Sequence, residues 1–188
     1  NIFILTCYLS FMASYDLLGN IALVKFTNGE KITNGEKRKI AKRILKQHKA
    51  VKTVLEKTEK VKGRLRKIKT KWLAGEKTKL ARYRENGCEF VFNIDEVYFS
   101  SRLAGERKEI AEKVRKKDSV LVLFAGVGPF SIVIAKLSKC KKVLSVEISR
   151  KASKYAEKNI KLNKLNNVKI VQGDVKKLKL REKFDKIV

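Results

Sequence analysis

Two glycines in G-x-G spacing carry the clearest chemical signal in the chain. Gly126 and Gly128 follow the apolar run Val120–Phe124 and precede Pro129, the chain's only proline. From Phe130 onward apolar residues recur at helical spacing, so the pattern predicts a strand, a tight turn and a helix. Glycines let a backbone approach a ligand closely, a helix start offers free N–H groups, and proline suits the first helical position. The stretch therefore predicts a site for a nucleotide-like ligand in an α/β domain.

Acidic residues follow the next two predicted strands. Glu147 ends the apolar run Val143–Val146. It lies about 20 residues beyond the glycines, where such folds place a carboxylate that accepts hydrogen bonds from ribose. Asp174 follows the short strand Val168–Val171, from which a carboxylate can reach an adenine amino group. Ser131 replaces the third glycine of the dinucleotide fingerprint. Spacing alone leaves three interpretations open: a nicotinamide dinucleotide site, an S-adenosylmethionine site, or a turn that only connects strand to helix.

The chain carries far more positive charge than solubility requires. Its 188 residues include 46 Lys and Arg against 19 Asp and Glu, a formal net charge of +27. The excess favours a nucleic-acid partner. A lysine-rich thermophilic proteome is the alternative, but it would raise glutamate as well. Basic residues crowd Lys60–Arg84 around the aromatic residues Trp72 and Tyr83, a mixture that suits phosphate contacts and base stacking. We expect Trp72 itself to lie in the core of a small sheet.

Cysteine and histidine usage points away from metal and disulfide chemistry. Cys7, Cys88 and Cys140 are far apart, form no C-x-x-C pair and have no cluster with His48, the single histidine. This usage fits a reducing cytosol, so we expect a cytoplasmic protein without a metal site. The apolar residues 1–13 are too short to span a bilayer and lack a signal-peptide pattern.

Local signals in the first half predict a small α+β domain. A strand over Ile21–Phe26 precedes Thr33, which has capping-box spacing with Glu36 at the start of a helix. Between residues 51 and 99 apolar residues alternate in short runs, and Glu85-Asn86-Gly87 marks a hairpin. We expect residues 15–99 to form an RNA-binding domain and residues 1–14 to be the remnant of an upstream segment.

The second half predicts a Rossmann-like α/β domain over residues 100–188. A helix from near Ser100 to about Lys116 joins the two domains, and the three strands described above then alternate with helices. Phe184–Val188 matches the start of a fourth strand. We therefore expect the printed sequence to stop inside this domain.

The residue identities in these motifs are more specific than the spacing of the motifs. LFAGVGPFS (123–131), VEIS (146–149) and AEKNIKLNKL (156–165) resemble the class I methyltransferase domain of archaeal and eukaryotic tRNA (guanine-N1)-methyltransferases. The resemblance continues backwards through WLAGEK, ENGCEFVFNIDEVYFSSR and LAGER and covers nearly all of residues 15–188. It implies S-adenosylmethionine as methyl donor and the tRNA anticodon stem-loop as partner. The implied reaction is methyl transfer to N1 of the guanosine 3′ of the anticodon, by a monomeric enzyme.

The resemblance also implies roles for single residues. SSRLAGER (100–107) is similar to the family's S-P-R-x-x-x-E-R element, whose glutamate is the general base and maps to Glu106, with Arg102 beside it. The family's arginine near guanine O6 maps to Arg66, or to Arg64 if the register slips. The residues expected at the cofactor are Phe124, Ala125, Gly126, Gly128, Glu147, Ile148, Asp174 and Val175. Those expected at RNA are Arg64, Lys67, Lys69 and Arg107.

The implied reaction explains why these residue types are needed. The N1 proton of guanine must leave and negative charge builds on O6, so a general base and a fixed cation are required. The sulfonium donor supplies an activated methyl group, so no metal is needed.

Departures from the family pattern keep other functions open. Ser101 replaces a proline, Val122 replaces an acidic residue, and Glu147 replaces a common aspartate. The family's N-x-P motif is missing from the printed sequence, so we expect this segment alone to be inactive. The alternatives are a wyosine-pathway aminocarboxypropyltransferase, a non-catalytic RNA-binding protein and a nicotinamide oxidoreductase. The Gly-Pro-Phe sequence at 128–130 favours the methyltransferase branch over the aminocarboxypropyl branch.

Overall fold

The chain divides into two compact units between Arg82 and Tyr83 in a computed structural model. The structure describes residues 13–26, 32–58, 68–178 and 182–188. Within these ranges no helix is long and apolar enough to cross a membrane.

The first unit contains a four-stranded sheet with the order β1-β2-β3-β4. Its strands are β1 (Ala13–Leu18), β2 (Ile21–Phe26), β3 (Thr53–Lys57) and β4 (Thr70–Gly75). β2 and β3 are parallel, and helix α1 (Asn34–Gln47) is the crossover between them. Ala41 and Ile44 of α1 pack in one buried cluster with sheet residues such as Val24 and Val54.

The start of α1 confirms the predicted capping box. The Thr33 hydroxyl accepts a hydrogen bond from the Glu36 amide at 3.3 Å, and the Glu36 carboxylate accepts one from the Thr33 amide at 2.8 Å. Two backbone donors that the helix leaves unpaired are thereby satisfied. The hydrogen bonds with Thr33 also hold the pKa of Glu36 below its usual value.

Trp72 lies half-buried on β4, so its placement in the core was wrong. A bulge between β3 and β4 sets Val54 opposite Ala74 and Leu55 opposite Trp72, which leaves Leu73 as the extra residue. Such a bulge interrupts strict alternation, and here the consecutive residues Leu73 and Ala74 are both buried. The Trp72 indole N–H donates to the Gly75 carbonyl at 3.2 Å, and the Lys77 ammonium lies 5.6 Å from the ring centroid.

The second unit contains a parallel sheet with the order β10-β7-β8-β9. The strands are β7 (Ser119–Leu123), β8 (Lys142–Glu147), β9 (Val168–Gln172) and β10 (Lys186–Ile187). Helices α3 (Pro129–Ser138) and α4 (Arg150–Leu162) are the crossovers between the first three strands. Because β8 and β10 pair with opposite edges of β7, the strand order reverses at β7, where open α/β sheets bind ligands. The Rossmann-like fold class is confirmed.

A hairpin of β5 (Leu80–Glu85) and β6 (Cys88–Asn93) precedes this sheet and confirms the predicted turn. Asn86 and Gly87 have φ of +48° and +70°, and a two-residue hairpin loop with a type I′ turn requires positive φ at both positions. The ring of Phe99 lies against Tyr83 and Phe92, with centroid separations of 5.0 and 4.6 Å. Residues 83–99 belong to the second unit, whereas the sequence-based domain boundary lies between residues 99 and 100.

The helix after this segment is shorter than its sequence pattern suggests. A 3₁₀ turn (Ser101–Leu103) leads into α2 (Ala104–Glu112), so the predicted end near Lys116 was wrong. The Val114 amide donates to the Ala111 carbonyl, which tightens the helix end. The Asp118 carboxylate then accepts from the Arg115 amide at 3.0 Å and forms a separate turn.

Arg107 of α2 is buried, which contradicts its predicted contact with RNA. The residue is 1% exposed, and its guanidinium donates to both carboxylate oxygens of Glu85, at 2.5 and 2.6 Å. It also donates to the Ser100 carbonyl at 2.9 Å. The rings of Phe99 and Phe130 lie 5.4 and 5.6 Å from the guanidinium carbon. Through these contacts the Arg107 guanidinium links the hairpin, α2 and the start of α3.

Replacing Arg107 with methionine is expected to lower the free energy of unfolding by about 3–5 kcal/mol, because the Glu85 charge stays buried without a partner. Denaturant unfolding of the chain measures this loss. Arg84→Met is the control, since Arg84 pairs with Glu89 on the surface. An exposed pair contributes less than about 1 kcal/mol. Equal losses in the two variants would contradict the account of the buried pair.

Candidate cofactor and catalytic site

The glycine turn joins the end of β7 to the start of α3. Gly126 and Gly128 have φ of +58° and +86°, in the left-handed region that favours glycine. A Cβ on Gly128 would lie 3.3 Å from Ile132 Cδ1 and 3.4 Å from Ala156 Cβ. A Cβ on Gly126 would meet nothing nearer than the Tyr98 carbonyl oxygen at 4.0 Å. Gly128 therefore lets the turn pack on α4, whereas Gly126 leaves space over the turn.

Hydrogen bonds fix the turn to the neighbouring strand. The Ala125 amide donates to the Val146 carbonyl at 2.9 Å, and the Gly128 amide donates to the Ala125 carbonyl at 2.9 Å. The Gly126 amide donates to Glu147 Oε2 at 2.8 Å. The turn is therefore held in one conformation by β8.

Glu147 is buried at the end of β8, at the predicted position beside the turn. Its Oε1 accepts from the Ser149 amide at 2.7 Å, and Ser149 is the N-cap of α4. Each carboxylate oxygen can accept a second hydrogen bond, so the pair of oxygens can also receive ligand hydroxyls. Ile148 follows it and is half-buried.

Asp174 and Val175 lie at the end of the next strand. The Gly173 amide donates to the Glu147 carbonyl at 2.9 Å, which sets the ends of β8 and β9 side by side. Asp174 Oδ1 accepts from the Lys176 amide at 3.1 Å, and its carbonyl accepts from Lys177 at 2.8 Å. The structure thus brings the glycine turn and the predicted acidic residues to one edge of the parallel sheet.

Phe124 presents an exposed aromatic ring where β7 ends. It is 73% exposed and has a φ of +56°, a conformation that non-glycine residues rarely adopt. Ala125 beside it is buried. An exposed ring on a constrained backbone next to the turn offers an apolar surface to a ligand.

The predicted general base lies on the first turn of α2. Glu106 is exposed there, and Arg102 is exposed in the preceding 3₁₀ turn. A carboxylate in this position is favoured by the helix dipole. Because α2 packs against α3, the helix with Glu106 contacts the helix that begins at the glycine turn.

Apart from Arg107, the predicted RNA and O6 contacts fall within residues 64–69. Arg64, Arg66 and Lys67 lie outside the described residues. Lys69 is exposed just before β4, and its carbonyl accepts hydrogen bonds from the amide and the hydroxyl of Thr58, both at 3.0 Å. In the described part of the chain, no three His, Cys, Asp or Glu residues gather as metal ligands. Burial raises the pKa of the Cys88 thiol to about 11, so this thiol stays protonated at neutral pH.

Two buried asparagines of the second unit have no predicted role. Asn159 of α4 and Asn163, which follows the last residue of α4, are buried, although asparagine usually faces solvent. Asn159 Nδ2 donates to the Val127 carbonyl at 3.1 Å, between the two glycines. The available signal was their i, i+4 spacing on the helix face that also buries Ala152, Ala156 and Ile160.

Comparison with known proteins agrees with this geometry. The family model described as TRM5/TYW2 methyltransferase domain matches residues 81–188, and the one described as TYW2 N-terminal domain matches residues 9–78. The chain is 39% identical over 175 residues to tRNA (guanine(37)-N(1))-methyltransferase Trm5b of Pyrococcus abyssi, covering 93% of this chain and 51% of the relative. It is 43% identical over 155 residues to tRNA (guanine(37)-N(1))/4-demethylwyosine(37)-methyltransferase Taw22 of Nanoarchaeum equitans, covering 81% and 49%.

A relative with another activity is also similar. The tRNA(Phe) (4-demethylwyosine(37)-C(7)) aminocarboxypropyltransferase of Methanocaldococcus jannaschii is 32% identical over 174 residues, covering 93% of this chain and 66% of the relative. The chain thus spans about half the length of the two methyltransferases and about two thirds of this transferase.

Solved structures show the same relationship. The complex of aTrm5 and tRNALeu has a TM-score of 0.83 at 32% identity, covering 95% of this chain and 52% of that chain. The structure of Methanocaldococcus jannaschii TYW2 with AdoMet has a TM-score of 0.67 at 26% identity, covering 93% and 63%. Because the methyltransferase-domain model alone matches more than half of the residues, the chain belongs to the TRM5/TYW2 methyltransferase family.

Proposed function

We propose that the protein carrying this chain is a tRNA (guanine(37)-N(1))-methyltransferase that uses S-adenosylmethionine. The observation that carries the proposal is the convergence of the glycine turn, Glu147 and Asp174 at one edge of the parallel sheet. Relatives with this named activity cover most of the chain.

Residues of the second unit bind the cofactor in this proposal. Glu147 receives the ribose hydroxyls, and Asp174 with Val175 faces the adenine. The backbone at Gly126 and Gly128 approaches the ligand closely, with Phe124, Ala125 and Ile148 beside it. S-adenosylmethionine supplies a methyl group activated by its sulfonium. Val122, which stands where the family has an acidic residue, is buried in β7 and contributes apolar packing instead.

Residues around guanine carry the acid–base chemistry. Glu106 accepts the N1 proton, which makes N1 a nucleophile for the methyl group. Arg66, with Arg64 as the alternative, stabilises the charge that develops on O6, and Arg102 adds a second cation at the site. Support for Glu106 is its place on the first turn of α2, a helix that packs on α3.

The partner in this proposal is the anticodon stem-loop of tRNA. The net charge of +27 and the exposed Lys69 suit phosphate contacts, and Arg64 and Lys67 are assigned the same role. Arg107 is excluded from that role by its burial. We propose a cytoplasmic enzyme that acts as a monomer. The proposal assigns tRNA binding to residues 15–99 and methyl transfer to residues 100–188, whereas the two compact units divide between Arg82 and Tyr83.

Aminocarboxypropyl transfer to the same tRNA region is the second candidate. It is favoured by the 32% identity with an archaeal aminocarboxypropyltransferase and by the TYW2 N-terminal domain match. Pro129 at the start of α3 favours methyl transfer, since the other branch typically has tyrosine there. The mass gained by tRNA after reaction distinguishes the two groups.

Changing Gly128 to alanine is expected to weaken S-adenosylmethionine binding at least about 10-fold, because the new methyl group strains a left-handed backbone and presses on Ile132 and Ala156. Isothermal calorimetry on the chain measures the affinity, and the thermal midpoint shows that the variant is folded. Gly105→Ala is the control, since a Cβ there meets nothing within 4 Å. Full affinity in the folded Gly128→Ala variant would contradict the assignment of the turn.

Changing Glu106 to glutamine is expected to lower the rate constant of methyl transfer by about 100-fold or more, because the amide cannot accept the N1 proton. Single-turnover methylation of a tRNA transcript by the protein carrying this chain measures the effect, while cofactor affinity stays unchanged. Glu109→Gln is the matched control on the same helix, where Glu109 is exposed and pairs with Lys113. A normal rate for Glu106→Gln would remove Glu106 as the base.

A further inference from the structure

Two buried asparagines, Asn159 of α4 and Asn163 directly after its last residue, form hydrogen bonds with the backbone of β6 as a neighbouring strand would. Asn159 Oδ1 accepts from the Val91 amide at 2.8 Å. Asn163 Oδ1 accepts from the Glu89 amide at 2.9 Å, and its Nδ2 donates to the Glu89 carbonyl at 2.7 Å. Backbone groups of alternate residues on β6 are thereby paired with helix side chains. Buried backbone groups without partners are costly, so these amides make it possible for α4 to cover β6.

The two asparagines differ in their second contact. Asn159 Nδ2 donates to the Val127 carbonyl at 3.1 Å, in the glycine turn, whereas Asn163 Nδ2 also donates to the Asn159 carbonyl at 2.8 Å. Asn159 is fully buried, and Ala156, one turn earlier on α4, is the residue on which Gly128 packs. The same helix face therefore supports the turn by contact and by a hydrogen bond.

We infer that Asn159 is a positioning residue for the cofactor turn. Its amide holds the Val127 carbonyl toward α4, which sets the orientation of the Val127–Gly128 peptide. That orientation agrees with the bond from the Gly128 amide to the Ala125 carbonyl, at 2.9 Å. The open side of the turn at Gly126 is then left facing the ligand. The inference rests on the proposed function in one respect, that the ligand is S-adenosylmethionine.

The chemistry of the amide makes the role specific. Asparagine offers an acceptor to Val91 and a donor to Val127 from one small group. Aspartate keeps the acceptor but has no donor, and it sets a charged oxygen against the Val127 carbonyl. Asn159→Asp therefore removes the bond to the turn, while Asn163→Asp makes the same chemical change at a site that does not contact the turn.

The experiment compares Asn159→Asp with Asn163→Asp in the chain as printed. Calorimetric titration with S-adenosylmethionine measures affinity, thermal unfolding measures stability, and NMR hydrogen exchange measures protection of the Gly128 amide. Both variants are expected to lose stability. Only Asn159→Asp is expected to weaken binding at least about 10-fold and to speed exchange of the Gly128 amide. If Asn159→Asp does not fold, Asn159→Ser is measured in the same way.

Each result decides a different point. If both variants change cofactor affinity and the exchange rate of the Gly128 amide equally, the inference is overturned. It is also overturned if folded Asn159→Asp exchanges the Gly128 amide at the same rate as the unsubstituted chain. If the unsubstituted chain binds no S-adenosylmethionine, the proposed cofactor assignment fails. Hydrogen exchange still tests whether Asn159 positions the turn, because it needs no ligand.

Discussion

The carboxylate of Glu147 connects the parts of the second unit on which the site depends. Its two oxygens accept from the Gly126 amide in the turn and from the Ser149 amide at the start of α4. Its own carbonyl accepts from the Gly173 amide, which follows β9. The residue at the end of β8 therefore contacts the turn and the start of the next helix through its side chain, and the segment after the next strand through its backbone carbonyl. Without the carboxylate, the Gly126 and Ser149 amides would lose their partner at this end of the sheet.

The hairpin β5–β6 is joined to this assembly through buried polar groups. Arg107 connects β5 to α2 and to the Phe130 ring at the start of α3. Asn159 connects β6 to the turn itself. Buried charges and amides are costly unless every partner is present, so these contacts allow few alternative arrangements. We consider this the reason that the helix with Glu106 and the glycine turn are held in one arrangement.

Local features of this fold could be predicted from sequence, because short-range physics determines them. The capping box at Thr33, the turn at Asn86-Gly87 and the strand–glycine–helix unit each depend on neighbouring residues. Contacts between distant residues could not be predicted in this way. Glu85 precedes Arg107 by 22 residues, and Val91 precedes Asn159 by 68. Arg107 was therefore predicted to contact RNA, although it pairs with Glu85 in the interior. Likewise, a β-bulge at Leu73 leaves Trp72 half-buried and not in the core.

The identity of the modified nucleoside is the most direct test of the proposed activity. The protein carrying this chain is incubated with S-adenosylmethionine and a tRNA transcript, and nuclease digestion with mass spectrometry locates the product. We expect 1-methylguanosine at position 37, the position in the names of the similar methyltransferases, and no product when that guanosine is replaced by adenosine. A methyl group at another position, or an aminocarboxypropyl group on the tRNA, would contradict the proposed activity.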